Sequence, residues 1–300
     1  MRISEWIQAG FASIFAMAAW VYPLAARRRL IITSLAAGAI FVIALGRLSA
    51  YILAPVQVSI LRDWLPAVLM LIPYWQTGQF FLGPNEKMQA WLMQSDRRLE
   101  HFFCRLVSRK GRATAFSLRK TPIDAESLHY TYRKNAPWNL ASHSGLRLGR
   151  FAHLSMEWAY MLCYPLPLLG LATLYAAGLS READSFWAFV LLPTYLCYAI
   201  TPFVPAMPPR FLESEHRESQ ATKSKIFNLW IQKHGSIHAI SFPSAHVAAS
   251  LAISLFLLHK VPAAGVFFLV ISFWIAVAAV VERYHYAVDV VLGAVLTLAM

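Results

Sequence analysis

The segments SFPSAH (241–246) and ERYHYAVD (282–289) decide the fold, together with the two apolar runs that lie between them. These runs, VAASLAISLFLL and AAGVFFLVISFWIAVAAVV, are long enough for a helical hairpin that crosses a bilayer and returns. The hairpin would bring His246, at the start of one helix, beside His285 and Asp289, at the end of the other. Two histidines and a carboxylate at one membrane surface indicate chemistry.

The composition is that of an integral membrane protein. Hydrophobic residues make up 58% of the chain and charged residues 14%, whereas soluble domains are about 45–50% apolar and about 25% charged. The net charge of +12 favours basic loops on anionic lipid and attraction of a phosphorylated headgroup over a nucleic-acid partner. The three cysteines are widely spaced and predict neither a disulfide framework nor a metal site.

The apolar runs predict an all-α, polytopic membrane bundle of about eight helices. The predicted spans are approximately 6–26, 30–53, 64–82, 151–178, 186–204, 247–258, 263–281 and 288–300. Pro66 and Pro73 predict kinks in the third span. The last run has 13 residues, about 20 Å of helix against a hydrocarbon core of about 30 Å.

Two domains are expected, an N-terminal two-helix membrane extension (1–63) and a catalytic membrane domain (64–300) that contains a basic interfacial loop (83–150). Within the loop, residues 88–107 have the pattern of an amphipathic helix that lies in the membrane interface, and 225–237 could form a shorter one. Counting spans puts the basic loop 27–29, the loop 83–150 and the two motif histidines on one side of the membrane.

Polar residues near the other spans have a less definite meaning. His153 and Glu157 are four residues apart and share a helix face, which favours a polar pair near the membrane surface over residues that line a site.

The start of the first hairpin helix is suited to bind phosphate. Ser241 could cap this helix and Pro243 suits its first turn, which places Ser244, Ala245 and His246 among unsatisfied backbone N–H groups. A histidine at this position can donate a proton to a leaving oxygen.

The second motif supplies a nucleophile. His285 and Asp289 are four residues apart, so a shared helical face would let the carboxylate hold one ring nitrogen protonated and leave the other free to attack. Arg210 and Arg283 would stabilise the non-bridging phosphate oxygens. The sequence shows no cluster of carboxylates that would indicate a metal site, so no metal or other cofactor is expected.

Three motifs, PPR (208–210), PSAH (243–246) and HYAVD (285–289), resemble those of the type 2 phosphatidic acid phosphatase (PAP2) superfamily. The resemblance extends from about residue 64 to 300 and is closest to bacterial lipid phosphatases and inositolphosphorylceramide-synthase-like phosphotransferases. It implies a six-helix core, a metal-independent reaction through a phosphohistidine, and a bacterial inner (plasma) membrane.

The resemblance also implies roles for individual residues. His285 would be the nucleophile, Asp289 its orienting carboxylate and His246 the general acid, while Ser244 and Arg210 would bind phosphate. The implied substrate is a lipid phosphate such as a phosphatidate or a polyprenyl or sphingolipid phosphate.

The chain departs from the family pattern at four positions. Phe203 and Phe211 stand where the first motif usually has lysine and proline, Ala245 replaces a glycine, and Ala279 replaces an arginine. Arg283 could substitute for that arginine, but on a continuous helix it would point about 200° away from His285.

Several alternatives stay open. Hydrolysis and transfer to an alcohol share their first half-reaction, and a transporter or flippase for a phosphorylated lipid is the alternative function. Transport would need polar residues along several spans, whereas here they collect at one end. The loop 27–29 argues for a cytoplasmic active face, and the resemblance implies an extracytoplasmic or lumenal one.

Overall fold

The computed structural model describes residues 1–107, 150–209, 237 and 242–300, and these residues form helices and turns without a β-strand. The helices are α1 (Ile3–Val21), α2 (Ala26–Leu48), α3 (Pro55–Leu69), α4 (Leu71–Gln79), α5 (Glu86–Val107), α6 (Arg150–Leu162), α7 (Leu166–Ala176), α8 (Ala183–Ile200), α9 (Ala245–Lys260), α10 (Pro262–Val281) and α11 (Ala287–Leu298). The predicted all-α architecture is therefore confirmed.

Several of these helices are long and apolar enough to cross a membrane. In the described part of the chain there are four such segments: Ala26–Tyr51, Pro55–Gln79, Ser180–Phe203 and Pro262–Val281. A fifth is present if α6 and α7, which meet at 70°, count as one span. The chain is an integral membrane protein, but the predicted number of eight spans is not confirmed. Helix α1 is not among the candidates, and α9 and α11 have only 16 and 12 residues.

The predicted interruption of the third span is present between α3 and α4. Proline has no backbone N–H, so Pro73 cannot donate to the carbonyl of Leu69 four residues earlier. Helix α3 ends at that residue, and α4 begins two residues later after Met70.

The main apolar core surrounds α8 and α9. Phe186, Trp187 and Tyr195 of α8 are fully buried and belong to one cluster with Ile253 of α9 and Phe15 of α1. The first helix therefore packs directly into this core, and the division of the chain at residue 63 stays a prediction.

The two ends of α8 lie at the two ends of the bundle. Near its N-terminus the indole Nε1 of Trp187 donates a hydrogen bond to the carbonyl of Asp63, at 2.6 Å. Just after its C-terminus the backbone N–H of Phe242 donates to Thr201 Oγ1, at 3.2 Å. The 18 residues of α8 span about 27 Å. Phe242 precedes the PSAH motif, so the motif lies at the C-terminal end of α8.

The arginines 27–29, predicted to form a basic loop, lie in the first turn of α2, at that same end. The guanidinium of Arg28 donates to the carbonyls of Gln79 and Phe81 at 2.8 and 2.7 Å, and Thr77 Oγ1 donates to the carbonyl of Tyr198 at 2.8 Å. These contacts agree with the side that the span count predicts for the loop.

A second charged cluster lies at the opposite end. Arg62 forms two hydrogen bonds with the buried Glu5, at 2.7 and 2.9 Å, and Arg2 pairs with the buried Asp63. Tyr175 Oη also donates to Asp63, at 2.6 Å. The expectation that polar residues collect at one end is therefore wrong, because this cluster lies at the other end. The sequence does not reveal that these distant residues pair with one another.

Candidate active site

Helices α9 and α10 form the predicted hairpin, and the ends of this hairpin carry the two motif histidines. The turn between them is tight: a Cβ added to Gly265 would lie 2.1 Å from Cα of Leu258. At the other end of the hairpin the ring centroids of His246 and His285 are 5.7 Å apart. The structure therefore brings the two histidines together.

His285 and Asp289 form a buried pair. His285 Nδ1 lies 3.0 Å from Asp289 Oδ2, and the two residues are 4% and 0% exposed. Their positions differ from the prediction of one helical face, because His285 lies in the turn before α11 and only Asp289 is on the helix. Two backbone hydrogen bonds stabilise this arrangement. The N–H of His285 donates to the backbone carbonyl of Ala279 at 2.9 Å, and the N–H of Ser244 donates to the backbone carbonyl of Asp289 at 3.0 Å.

The environment of His285 favours a neutral ring. Burial lowers the pKa of His285 from 6.5 to about 4, so the ring is uncharged at neutral pH. A neutral imidazole that donates from Nδ1 to Asp289 has its free lone pair on Nε2. This tautomer is the one that nucleophilic attack requires.

His246 lies in the first turn of α9, which begins later than predicted. The cap is Ser244, whose Oγ accepts from the N–H of Val247 at 3.5 Å, and the helix begins at Ala245. Pro243 therefore precedes the helix instead of lying in its first turn, and the predicted cap Ser241 lies outside the described residues.

Two tyrosines of the α6–α7 region surround His246. The ring of Tyr160 lies 5.5 Å from that of His246 at 28°, and the ring of Tyr164 lies 5.9 Å away at 89°. Within the described residues the buried His246 Nδ1 has no hydrogen-bond partner. This nitrogen is therefore not committed to another side chain.

Arg283 does not lie on a helix, so the prediction that it would point about 200° away from His285 does not apply. Helix α10 ends at Val281, and Arg283 follows in the turn with φ 67°, a left-handed conformation that is uncommon for a residue with a side chain. Arg283 is 4% exposed. The proposed substitution for the family arginine stays a prediction.

The other departures from the family pattern have different surroundings. Ala279 is fully buried in a cluster with Tyr160 and Tyr284, and Phe203 is 76% exposed. Arg210 and Phe211 lie outside the described residues, so the predicted phosphate contact of Arg210 stays a prediction.

Helix α6 holds the turn between α10 and α11 through two polar contacts. His153 Nδ1 lies 2.7 Å from Glu282 Oε1, and Tyr284 Oη donates to Glu157 Oε2 at 3.0 Å. The predicted pair between His153 and Glu157 is therefore wrong, because each of them bonds to the turn that carries His285.

Helix α5 holds the start of α11. Asp96 Oδ1 accepts from the backbone N–H of Ala287 at 2.6 Å. Gln89 Nε2 donates to Tyr286 Oη, and Gln89 Oε1 accepts from the N–H of Met207 at 2.9 Å. The predicted amphipathic helix is thus present, but part of its buried face packs on the candidate site.

Sequence reasoning missed Gln89 and Asp96, although a signal for them exists. Gln89, Leu92, Met93 and Asp96 have the spacing of one helix face, and all four are buried. Two polar residues on the apolar face of an amphipathic helix indicate that the face meets polar partners in the protein.

Gly293 permits a close approach of α11 to the start of α9. A Cβ at this position would lie 2.5 Å from the carbonyl oxygen of Ser244, which is backbone and cannot move like a side-chain tip. Gly293 is four residues after Asp289 and therefore lies on the same helix face. Sequence reasoning missed this residue as well.

The described part of the chain contains no group of three or more His, Cys, Asp or Glu side chains that could hold a metal ion. The metal-independent reaction stays a prediction that requires a biochemical test.

The chain matches a protein-family model. The model of the PAP2 superfamily matches residues 135–300, which is more than half of the chain and includes α6 to α11. The match begins later than the resemblance from about residue 64 that the motifs suggest. Comparisons with curated proteins and with solved structures gave no match.

Proposed function

This chain belongs to the PAP2 superfamily, and on that premise we propose that it is a lipid phosphate phosphatase or phosphotransferase that uses a phosphohistidine intermediate. One observation carries the proposal: the buried His285–Asp289 pair, at 3.0 Å, faces a second histidine ring whose centroid lies 5.7 Å from that of His285. Nucleophilic catalysis by histidine needs these parts, a base oriented by a carboxylate and a nearby proton donor.

In the first step, Nε2 of His285 attacks the phosphorus atom and the bond from phosphorus to the lipid oxygen breaks. The negative charge of the bound phosphate favours the protonated form of His246. His246 donates this proton to the leaving oxygen, so the lipid leaves as an alcohol. Asp289 stabilises the positive charge that develops on the ring of His285, because a carboxylate 3.0 Å from Nδ1 can accept a hydrogen bond from a protonated Nδ1.

In the second step, water or an alcohol attacks the phosphohistidine and the bond from phosphorus to Nε2 breaks. His246, now neutral, accepts the proton of the attacking hydroxyl group. Water gives inorganic phosphate and an alcohol gives a new phosphate ester, so the acceptor distinguishes a phosphatase from a phosphotransferase.

The phosphate-binding residues follow from their place beside the histidines. Ser244 and Ala245 begin α9, where the positive end of the helix dipole favours an anion. Arg283 adds a buried cation in the turn before His285, and we assign Arg210 to the same role from its motif. These groups would stabilise the non-bridging oxygens of the transition state without a metal.

The substrate class follows from the surroundings of the site. The candidate residues lie at one end of an apolar helical bundle, where a phosphate headgroup can reach them while its hydrocarbon chain stays in the bilayer. A phosphatidate, a polyprenyl phosphate or a sphingolipid phosphate fits this placement, and the bacterial inner membrane is the proposed location.

The decisive experiment measures phosphate release from a panel of lipid phosphates in EDTA. His285→Ala is expected to lose activity by about 10³-fold or more, as nucleophile removal does in other enzymes with covalent intermediates. His259→Ala is the matched control, because His259 is an exposed histidine in the last turn of α9. Labelled substrate should give an acid-labile phosphoprotein that the His285 variant lacks.

Two outcomes would contradict the proposal. Full activity of His285→Ala would exclude the phosphohistidine mechanism, and a strict requirement for a divalent metal would exclude the metal-independent reaction. Addition of alcohols to the same assay separates the two enzyme classes, because only a phosphotransferase yields a new phosphate ester at the expense of free phosphate.

A further inference from the structure

An apolar groove lies between α2 and the broken helix pair α3 and α4, away from the elements that build the candidate active site. Its volume is about 840 Å³, within the range of small-molecule sites. Among the described residues that line it, Arg27 and Ser34 are the only polar ones, and Leu30, Gly38, Val42, Leu69, Ile72 and Trp75 are among the others.

The sequence explains why this surface is concave. The helix is interrupted at Met70, because Pro73 cannot continue the helical hydrogen bonds. Leu69 and Ile72, which line the groove, lie one and two residues from this interruption. Opposite the break, Gly38 has no side chain, and a Cβ added there would meet no atom within 4 Å. The missing side chain and the helix break together leave the space open.

Among the described residues that line the groove, one is a cation, Arg27, at one end of the groove. Arg28 donates to two backbone carbonyls, and Arg29 lies over the ring of Trp20 at 5.8 Å. Arg27, in contrast, is exposed and has no hydrogen-bond or ion-pair partner within the described residues. Its charge is therefore available to an anion at the surface on which the candidate active site lies.

The groove is long enough to hold a lipid chain that extends through one bilayer leaflet. From Arg27 to Val42 along α2 the distance is about 22 Å, and one bilayer leaflet contributes about 15 Å of hydrocarbon. Trp75 lines the groove one helical turn before the end of α4, near the depth at which tryptophan is enriched in membrane proteins.

We infer that this groove binds one anionic glycerophospholipid, with an acyl chain along α2 and the lipid phosphate at Arg27. The site is distinct from that of the substrate, because α2, α3 and α4 contribute none of the candidate catalytic residues. The inference does not depend on the proposed reaction.

A second helix is the other occupant to consider, since Ser34 and Gly38 are small residues four positions apart. The exposed Arg27, which has no hydrogen-bond or ion-pair partner within the described residues, favours a lipid with an anionic headgroup over an apolar helix.

The test uses the full-length protein, stripped of lipid in detergent and returned to phosphatidylglycerol or phosphatidylcholine, with bound lipid counted by native mass spectrometry. The wild type is expected to retain one lipid and to bind phosphatidylglycerol about fivefold more tightly, the effect of one basic residue at an anionic surface. Gly38→Leu should fill the groove and reduce retention about tenfold or more. Gly10→Leu is its matched control, because Gly10 is also helical, is open to the same extent and does not line the groove.

Arg27→Gln tests the headgroup contact separately and should remove the preference for phosphatidylglycerol. Its control is Arg47→Gln, which should keep this preference because Arg47 is on the same helix but does not line the groove. Because Arg27 is exposed, this variant keeps the test decisive even if Gly38→Leu does not fold. Equal retention by the two leucine variants, or an unchanged preference in Arg27→Gln, would overturn the inference. A wild-type dimer that Gly38→Leu converts to a monomer without a change in bound lipid would also overturn it, in favour of a second copy of the chain.

Discussion

Replacement of Gly293 by alanine tests how closely catalysis depends on the contact between α11 and the start of α9. The new Cβ would lie 2.5 Å from the carbonyl oxygen of Ser244, whereas carbon–oxygen contacts are normally about 3.3–3.6 Å. One backbone must therefore move by about 1 Å. The movement acts on the hydrogen bond from Ser244 N–H to the carbonyl of Asp289, which joins the two helices at 3.0 Å.

The consequences for activity and stability differ in size. A displacement of about 1 Å at a catalytic group lowers the rate about 10²-fold, so kcat should fall by this factor. Overpacking costs about 1–3 kcal/mol of folding free energy, and the higher helix propensity of alanine offsets up to about 1 kcal/mol. The net loss of stability is thus about 0–2 kcal/mol, too little to explain the loss of kcat by unfolding.

The assay measures kcat and KM on a lipid phosphate together with the thermal unfolding midpoint. Gly10→Ala is the matched control, because a Cβ there meets no atom within 4 Å and the propensity gain is the same. This control should keep the wild-type kcat and a midpoint at or above that of the wild type. A Gly293→Ala variant with the wild-type kcat would refute the reasoning, since the approach of α11 to Ser244 would then not position the catalytic groups.

Two further predictions concern the surroundings of the same pair. Asp96→Ala removes the acceptor for the N–H of Ala287 and should lower kcat about tenfold with little change in KM. Asp96→Asn keeps an acceptor oxygen and should recover most of the rate. Equal rates for the two variants would argue against a positioning role of Asp96. In the proposed reaction, attack requires neutral His285, which becomes protonated as the pH falls through its pKa. Because burial lowers this pKa to about 4, kcat/KM should persist well below pH 6.5, and an acid limb at or above about pH 6.5 in the pH profile would contradict this.

The hairpin and its histidines were predictable because they depend on local patterns. Apolar runs of sufficient length and a four-residue spacing between His285 and Asp289 are read directly from consecutive residues. The same is true of the break near Met70, which follows from Pro73. Each of these features is governed by contacts within a few residues along the chain.

The errors concern details that local pattern does not settle. The helix was expected to include Pro243, but it begins at Ala245 after the cap Ser244. Arg283 was treated as helical, but α10 ends before it and leaves it in a left-handed turn. In both cases contacts with another helix set the boundary, since Ser244 bonds to α11 and the turn around Arg283 is held by α6.

The sequence by itself determined that this is an all-helical membrane protein with two histidines at the ends of one hairpin, because hydrophobicity and helix geometry act along the chain. Only the tertiary structure decided which residues support those histidines. Asp96 and Glu157 come from helices far from the motifs, and Gly293 matters through the backbone that it faces. Such contacts join residues separated by scores of positions, and their energy exists only after the helices have packed.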